Sequence, residues 1–510
     1  MKTKNTKKPN KKVSTQYRPN ENPLVNALKV ESNYTLTEKG ALTNRSTLNS
    51  VLDFFGAGGA LRTRTENSVI QMFSKAFAED KLAALKVLFY IRDVREGQGE
   101  RKTFRTILKW LGNNYPDIVR KNIENIAFYG RYDDLYSLMD TPLEGDVFKY
   151  FTVQLKADLK AMRDGQNVSL LAKWLKSENT SSSVSRNLAH KTREAMELTS
   201  KKYRKILSAL RKHVDIVEQK MCSNEWDSID FEKVPSKASQ IYRKAFGKHD
   251  QERYANYLNS VEKGEAKINA SAIFPYEIIR SLISNTSTLD RKQADLQWKS
   301  MPNWLEGNEH YGLVIADLSG SMFMGDGLPA MVAISLAMYF AERNKGPFQN
   351  VWMNFSNTPS LQTLRGNNLY EKMQNMDRHN WGGTTNLQSA FDLILNIATR
   401  NNIKQADMPT MLYIVSDMEH DAACCSNDKT NFEVMKAKYK KAGYKLPNVV
   451  WWNVSARNDN HPIRVNDIGT ALVSGCSPSI LKSVLSARSF DPMSIVYETI
   501  NKERYNRIVI

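Results

Sequence analysis

Three short polar clusters have residue types that could hold a hard metal ion: Asp317-Leu318-Ser319-Gly320-Ser321, Gly382-Gly383-Thr384-Thr385 and Ser416-Asp417. A hard divalent cation prefers about six oxygen ligands in near-octahedral geometry. Carboxylates mixed with neutral hydroxyls leave the ion positive enough to accept a carboxylate or phosphate from outside. Alternate residues of a turn can point inward together. Ser319 and Ser321 would then ligate directly, while Asp317 and Asp417 would supply negative charge directly or through water. The bland reading of the same residues is a set of capping hydroxyls and turn aspartates. It does not explain why all three clusters fall on one edge of the sheet predicted next.

That sheet follows from the pattern around the clusters. YGLVIADLSGSM is a short apolar run rich in branched residues and ends in an Asp/Ser turn, the signature of a buried strand. An amphipathic helix (GLPAMVAISLAMYFAERNKG), a strand (NVWMNFS), a helix (TNLQSAFDLILNIATRNN) and the strands PTMLYIVSD and NVVWWNVSA follow in order. Alternating strand and helix predicts a mostly parallel sheet covered on both faces, an α/β doubly wound, Rossmann-like domain over residues 305–510. In such sheets ligands collect at the carboxyl ends of the strands, where the three clusters sit.

Residues 23–300 read differently. In SVIQMFSKAFAEDKLAALKVLFYIRDV, apolar residues recur every three or four positions with a polar break at AEDK, which predicts two consecutive helices. KTFRTILKWLGNNYPDIVRKNIENIAFYG, FKYFTVQLKADLKAM and REAMELTSKKYRKILSALRKHVDIVEQKMC continue the texture, each run ending at Gly, Asn or Pro. The chain is therefore expected to be multidomain, an all-α helical-repeat (HEAT-like) module followed by the α/β domain. Residues 1–22, with six lysines, one arginine and one acid, are expected to form a disordered basic arm.

Charge divides the chain in the same place. Residues 1–300 carry 52 Lys+Arg against 35 Asp+Glu, and residues 301–510 carry 20 against 19, so the excess is +17 before and +1 after. A one-sided excess of this kind suits a polyanion, since clustered Lys and Arg gain by releasing counterions from phosphates. The alternative is a solvated basic surface that aids solubility. No stretch reaches about 18 consecutive apolar residues, and MKTKNTKKPNKK lacks a signal sequence's apolar core. An intracellular, cytoplasmic protein is expected, away from membranes. Cys222, Cys424, Cys425 and Cys476 form no CxxC pair and are expected to be reduced thiols.

DLSGSM, GGTT and IVSDME, in this order on this strand and helix pattern, resemble the metal-ion-dependent adhesion site of von Willebrand factor type A domains. The resemblance implies one divalent ion, Mg²⁺ by preference, held by Asp317, Ser319, Ser321, Thr385 and Asp417. It places one threonine at the start of a helix. Thr384 and Thr385 are both available, and Thr385 is favoured because it sets Leu387 and Phe391 inward. In the helical half IRDVREGQGERKTFR, YGRYDDL, VPSKASQIYRKAF and INASAIFPYEII resemble the TROVE-like module of Ro autoantigens. They are more similar to an uncharacterised Ro-like family that joins this module to a type A domain. That resemblance spans residues 50–510 and implies a ring of helical repeats, closed by the type A domain, that binds RNA.

Candidate RNA contacts come from this sequence. Arg92, Arg95, Arg101, Lys102 and Arg105 crowd the EGQGE turn, and Lys201, Lys202, Arg204, Lys205, Arg211 and Lys212 crowd one helix. Tyr129, Tyr132 and Tyr203 could stack on unpaired bases, although core packing is the commoner fate of such tyrosines. Asp93, Glu96 and Glu100 lie close enough to pair with the first cluster instead. The glycines of GAGGA and REGQGE lack the strand and Lys-Ser/Thr of a nucleotide loop. GxSxG and HExxH are absent, and only His420, beside Asp417 and Glu419, invites attention as a base, so no catalysis is expected. The leading expectation is an RNA-binding protein of Ro type, whose metal site closes the ring or binds an acidic partner. The alternative is a metal-dependent protein-interaction adaptor without RNA, and a metal-dependent nuclease or phosphatase ranks last.

Overall fold

The computed structural model describes residues 22–283, 286–307, 311–354, 358–377, 385–422, 429–487 and 489–510. Of the arm expected at residues 1–22 only Asn22 is described, and its side chain accepts from Leu24 N at 2.9 Å to cap the helix Pro23–Asn33. Cys424 and Cys425 lie outside the described residues, while Cys222 and Cys476 are free thiols.

The chain then makes a turn that the helical texture hid. Strands β1 (Tyr34–Leu36) and β2 (Leu42–Asn44) pair antiparallel, with Tyr34 opposite Asn44. This hairpin lies inside the range expected to be helical. Its ladder continues into the C-terminal half through bridges from Gly40 to Asp421 and from Asn44 to His461. Eleven residues with so remote a partner carry no periodicity of their own.

Helices dominate from Ser50 to Lys299. Glu66–Glu79 and Lys81–Arg92 meet at Asp80, which ends the first and caps the second by accepting from Ala83 N at 2.9 Å. The polar break in the sequence is thus a shared cap. Lys102–Asn114 buries Phe104, Ile107, Leu108 and Leu111 on one stripe, as a helix of period 3.6 must when one face meets the core. Residues 217–296 gather a second, smaller core around Phe231, Phe246, Tyr254 and Leu258.

The C-terminal part is a six-stranded sheet. Its strands are β3 (Gly312–Ala316), β4 (Val351–Asn354), β5 (Leu361–Thr363), β6 (Met411–Ser416), β7 (Asn448–Asn453) and β8 (Thr470–Ser474). They lie in the order β5-β4-β3-β6-β7-β8, parallel except for β5, which runs antiparallel to β4 at the edge. Every residue of β3, β6 and β8 is buried, as a parallel sheet covered on both faces requires. β5 and β8 have no counterpart in the sequence reading. β5 is three residues of which Leu361 and Thr363 are exposed, and β8 is a five-residue run with no polar alternation.

Both ends of the helical segment pack on this domain. Helix Ser50–Gly58 lies against β8, where Ser474 Oγ donates to Phe55 O at 3.0 Å and Gly59 N donates to Ser474 Oγ at 3.0 Å. A methyl group added at Gly56 would strike the Leu472 side chain, so the glycines of GAGGA serve close packing. Arg504 Nε donates to Asp93 Oδ2 at 2.5 Å, tying the chain's last turn to the helical part. At the other end Arg343 Nη2 donates to Trp298 O at 2.7 Å and Leu369 N to Asp295 Oδ1 at 2.9 Å. The helical path therefore leaves the sheet domain and returns to it. Among the described residues no helix is long and apolar enough to cross a membrane.

Candidate functional site

β3 and β6 are neighbours in register, so the residues that follow them, Asp317 and Asp417, emerge side by side at the carboxyl edge of the sheet. Asp317 is fully buried. Its Oδ1 accepts from Ser319 N at 2.9 Å and its Oδ2 from Ser416 Oγ at 2.7 Å. Ser319 Oγ and Ser321 Oγ stand 3.2 Å apart, and Ser321 Oγ donates to Asp417 Oδ2 at 2.8 Å. Met418 adopts the left-handed conformation, with φ of 66°, which turns the chain so that Glu419 N donates back to Asp417 Oδ1 at 3.1 Å. A bulky residue there is strained, and such strain concentrates where geometry matters for function.

Thr385 is buried beside this edge. Its Oγ1 lies 3.0 Å from Glu419 O and 3.0 Å from Asp421 Oδ1, and its N donates to Asp421 Oδ2 at 3.0 Å. Asn386 caps the helix Leu387–Arg400, and Leu387 and Phe391 are both fully buried. Gly382, Gly383 and Thr384 lie outside the described residues. Asp317, Ser319, Ser321 and Asp417 thus form one linked cluster. Thr385 joins it through the 417–421 turn rather than by direct contact with either serine.

Electrostatics single out Asp317. Burial, reinforced by the Asp417 charge, pushes its carboxyl up to about 7. Both hydrogen bonds it accepts come from neutral groups. Asp417, by contrast, has Arg457 Nη2 at 2.9 Å. A buried carboxylate without a counter-cation is costly, and a hard cation bound by oxygens would remove that cost. Among the described residues no group of three or more His, Cys, Asp or Glu side chains could hold a metal. An ion at this edge would depend on the hydroxyls of Ser319, Ser321 and Thr385 beside the two carboxylates, a donor set suited to Mg²⁺ or Mn²⁺ rather than to a softer ion. His420 is buried against the Trp451 ring at 5.9 Å, and burial depresses its imidazole to about 4, so it is neutral at pH 7.

The Asp317 shift gives a pH prediction. Its folded value lies above the unfolded one, so protonated Asp317 stabilises the metal-free fold below about pH 4. That contribution is lost as pH rises towards 7. An ion held at this edge would need the ionised form. Mn²⁺ affinity should therefore rise about tenfold per pH unit below about pH 7 and level off above it, as calorimetric titration across that range would show. A flat profile would mean that Asp317 does not take part.

The basic clusters fare unequally. Arg92 is 2% exposed, with Nε on Asp134 Oδ2 at 2.8 Å, and Arg105 reaches Asp134 Oδ1 at 2.7 Å and Asp133 Oδ2 at 2.8 Å. Arg92 is spent inside the fold, and the partly exposed Arg105 is engaged by two carboxylates rather than left free for phosphate. Arg95 and Arg101 are exposed, and Lys102 Nζ donates to Arg62 O at 3.0 Å. On the helix Ser200–His213, Lys201, Lys202, Arg204, Lys205 and Lys212 all face solvent, while Tyr203, Leu207 and Leu210 are buried on the opposite stripe. Arg211 turns inward and donates to Ala172 O, Ser177 Oγ and Leu175 O. The candidate stacking tyrosines are mostly core. Tyr129 and Tyr203 are fully buried, donating to Arg504 O and Lys176 O, and Tyr132 stacks on Tyr150.

Sequence reasoning missed Glu38, Lys39 and Arg457. Arg457 joins Asp417 to Glu38, with 2.9 Å to a carboxylate oxygen of each, and Lys39 Nζ donates to Thr385 Oγ1 at 2.7 Å. No local signal marks them, because the hairpin's contact with the 417–421 turn is visible only in three dimensions.

Comparison with known proteins places the chain. A family model described as a domain of unknown function, DUF2828, matches residues 37–147 and 142–308, more than half of the chain. An uncharacterized protein of Acanthamoeba polyphaga mimivirus, L728, is 31% identical over 520 residues, covering 94% of this chain and 89% of the relative. The chain belongs to the DUF2828 family. The DUF2828 match begins in the hairpin and ends just before β3. A second domain of unknown function, DUF7788, matches residues 312–507, from the first residue of β3. The crystal structure of the Deinococcus radiodurans RO (RSR) protein is similar at 12% identity with a TM-score of 0.33, covering 88% of this chain and 93% of that one.

Proposed function

We propose that this DUF2828 protein binds RNA through its helical part and holds one divalent ion, Mg²⁺ by preference, at a von Willebrand type A-like site in its C-terminal domain. The observation that carries the RNA reading is the outer face of the helix Ser200–His213, where Lys201, Lys202, Arg204, Lys205 and Lys212 are exposed together. They belong to the half of the chain that bears an excess of +17. A cationic stripe without an ion pair among the described residues attracts phosphate and gains by counterion release. The metal reading rests on the buried Asp317 carboxylate, bonded by neutral groups and ringed by hydroxyls. When bound, the ion would supply a positive centre for a partner's carboxylate or phosphate. Asp317 and Asp417 would hold its charge, and Ser319, Ser321 and Thr385 would orient it. This reading assigns no residue to catalysis, and His420 is buried with its imidazole depressed to about 4.

The test is to purify the tagged full chain in about 0.15 M salt, where a sufficient number of phosphate contacts survives, and to sequence the nucleic acid that copurifies. Discrete RNAs are expected. Changing Lys201, Lys202, Arg204 and Lys205 together to Gln should lower RNA affinity across sequences. It should also shallow the salt dependence by roughly 0.7 in log–log slope for each phosphate that the helix no longer neutralises. An unchanged slope would remove this helix from the interface. The second reading is a metal-dependent adaptor that recognises an acidic protein and no RNA, and the consumption of Arg92 and Arg105 in ion pairs favours it. A partner that survives nuclease treatment and is lost on chelation would put it first.

A further inference from the structure

We propose that Lys39 is a built-in competitor of the divalent ion, so that the β1–β2 hairpin and the metal antagonise each other at this site; the inference rests on the metal reading above. The hairpin tip lies across the turn that carries Asp417. Thr37 Oγ1 donates to His420 O at 2.8 Å, and Glu38 N donates to Glu419 Oε2 at 2.8 Å. Between these anchors and the Gly40 bridge to Asp421, the Lys39 side chain is half-buried and ends 2.7 Å from Thr385 Oγ1.

The chemistry of that hydroxyl makes the contact competitive. A threonine hydroxyl has one proton and two acceptor lone pairs. The proton is directed to Glu419 O or Asp421 Oδ1, each 3.0 Å away, and a lone pair receives the Lys39 ammonium. A metal ion drawing on Thr385 needs a lone pair facing the cluster and must approach a fixed positive charge. Like charges a few ångströms apart in a partly buried site repel strongly. Lys39 is a cation supplied by the helical module's leading hairpin to an oxygen of the C-terminal domain. Its neighbour Glu38 is held by Arg457, which also pairs with Asp417, at 2.9 Å to each. Two cations linked to one hairpin therefore already serve the oxygens that an ion would take.

Coupling of this kind is reciprocal. If docking of Lys39 lowers metal affinity by some factor, metal must loosen the docked hairpin by the same factor. The experiment uses the full-length chain and Mn²⁺. Binding is followed by electron paramagnetic resonance for the natural protein, Lys39→Met and Lys39→Arg, and hydrogen exchange is followed over residues 34–44 with and without Mn²⁺. Lys39→Met is expected to bind Mn²⁺ about tenfold more tightly, within the usual range of coupling between two sites. Lys39→Arg, which keeps the charge, should stay close to the natural protein. Exchange in the hairpin of the natural protein should rise on adding Mn²⁺. Equal or weaker binding by Lys39→Met, or hairpin exchange unchanged by Mn²⁺, overturns the competition and leaves the metal site standing. No Mn²⁺ bound by any of the three overturns the metal reading, and the competition with it.

Discussion

Asp417→Asn is expected to cost more in Mn²⁺ affinity than the roughly 10- to 100-fold usual for loss of an outer partner of a metal ligand, with little change in fold. The asparagine can still accept from Ser321, whose Oγ donates to Asp417 Oδ2 at 2.8 Å, so the local hydrogen bond survives while the charge is lost. Arg457 does not become a stranded buried cation, because it keeps Glu38 at 2.9 Å and is 23% exposed. The loss therefore falls on the ion. Two negative charges side by side are tolerable at a buried sheet edge when a divalent cation is shared between them, and one charge binds it far more weakly. Titration of both proteins at pH 8, where Asp317 is ionised, reads the difference. Equal affinity would show that the ion, if bound, sits elsewhere.

The second large effect is on stability. Asp134→Ala should lower the unfolding free energy of the helical part by about 3–5 kcal/mol, the usual penalty for removing one partner of a buried ion pair. Asp134 is fully buried and serves three groups: Arg92 Nε at 2.8 Å, Arg105 Nε at 2.7 Å and Arg131 N at 2.9 Å. Removing it leaves the Arg92 guanidinium, itself 2% exposed, without its carboxylate partner. Gly130 packs against the same carboxylate, so the alanine also opens a gap there. A chain of this size need not unfold in one step, so the shift is best read from circular dichroism in urea, with tryptophan fluorescence followed as a second probe. A loss below about 1 kcal/mol would mean that the arginines find other acceptors.

How much of this is legible in the sequence varies with the distance over which each feature is decided. The DLSGSM and IVSDME edges are legible because each packs its chemistry into a few residues at the end of a buried strand, and β3 and β6 do lie side by side. Asp80 is legible as a helix break, since capping is a local matter. Arg92 reads as a phosphate ligand in the sequence and is none in the fold. Its acid lies 42 residues further on, and the neighbouring Asp93 is instead bonded by Arg504 and Tyr505 near the other end of the chain. Tyr129 and Tyr203 read as stacking groups for the same reason, because buried tyrosines and exposed ones look alike until the helix faces are known. The β1–β2 hairpin leaves no trace, because its strands are three residues each and its binding groups come from loops at the other end of the sequence.

The separation of 383 residues between Thr37 and His420 also bears on how the molecule is made. At about 5–20 residues per second, a ribosome would hold the hairpin without its docking surface for roughly 20–75 seconds after it emerges. The helices can condense on one another during that time, but the strands at 34–44 have only each other. His420 and His461, which receive them, are synthesised only after most of the helical part. The hairpin is therefore already made when the candidate metal edge forms, and Lys39, tethered on the same chain, is present from the moment that edge is first offered to an ion.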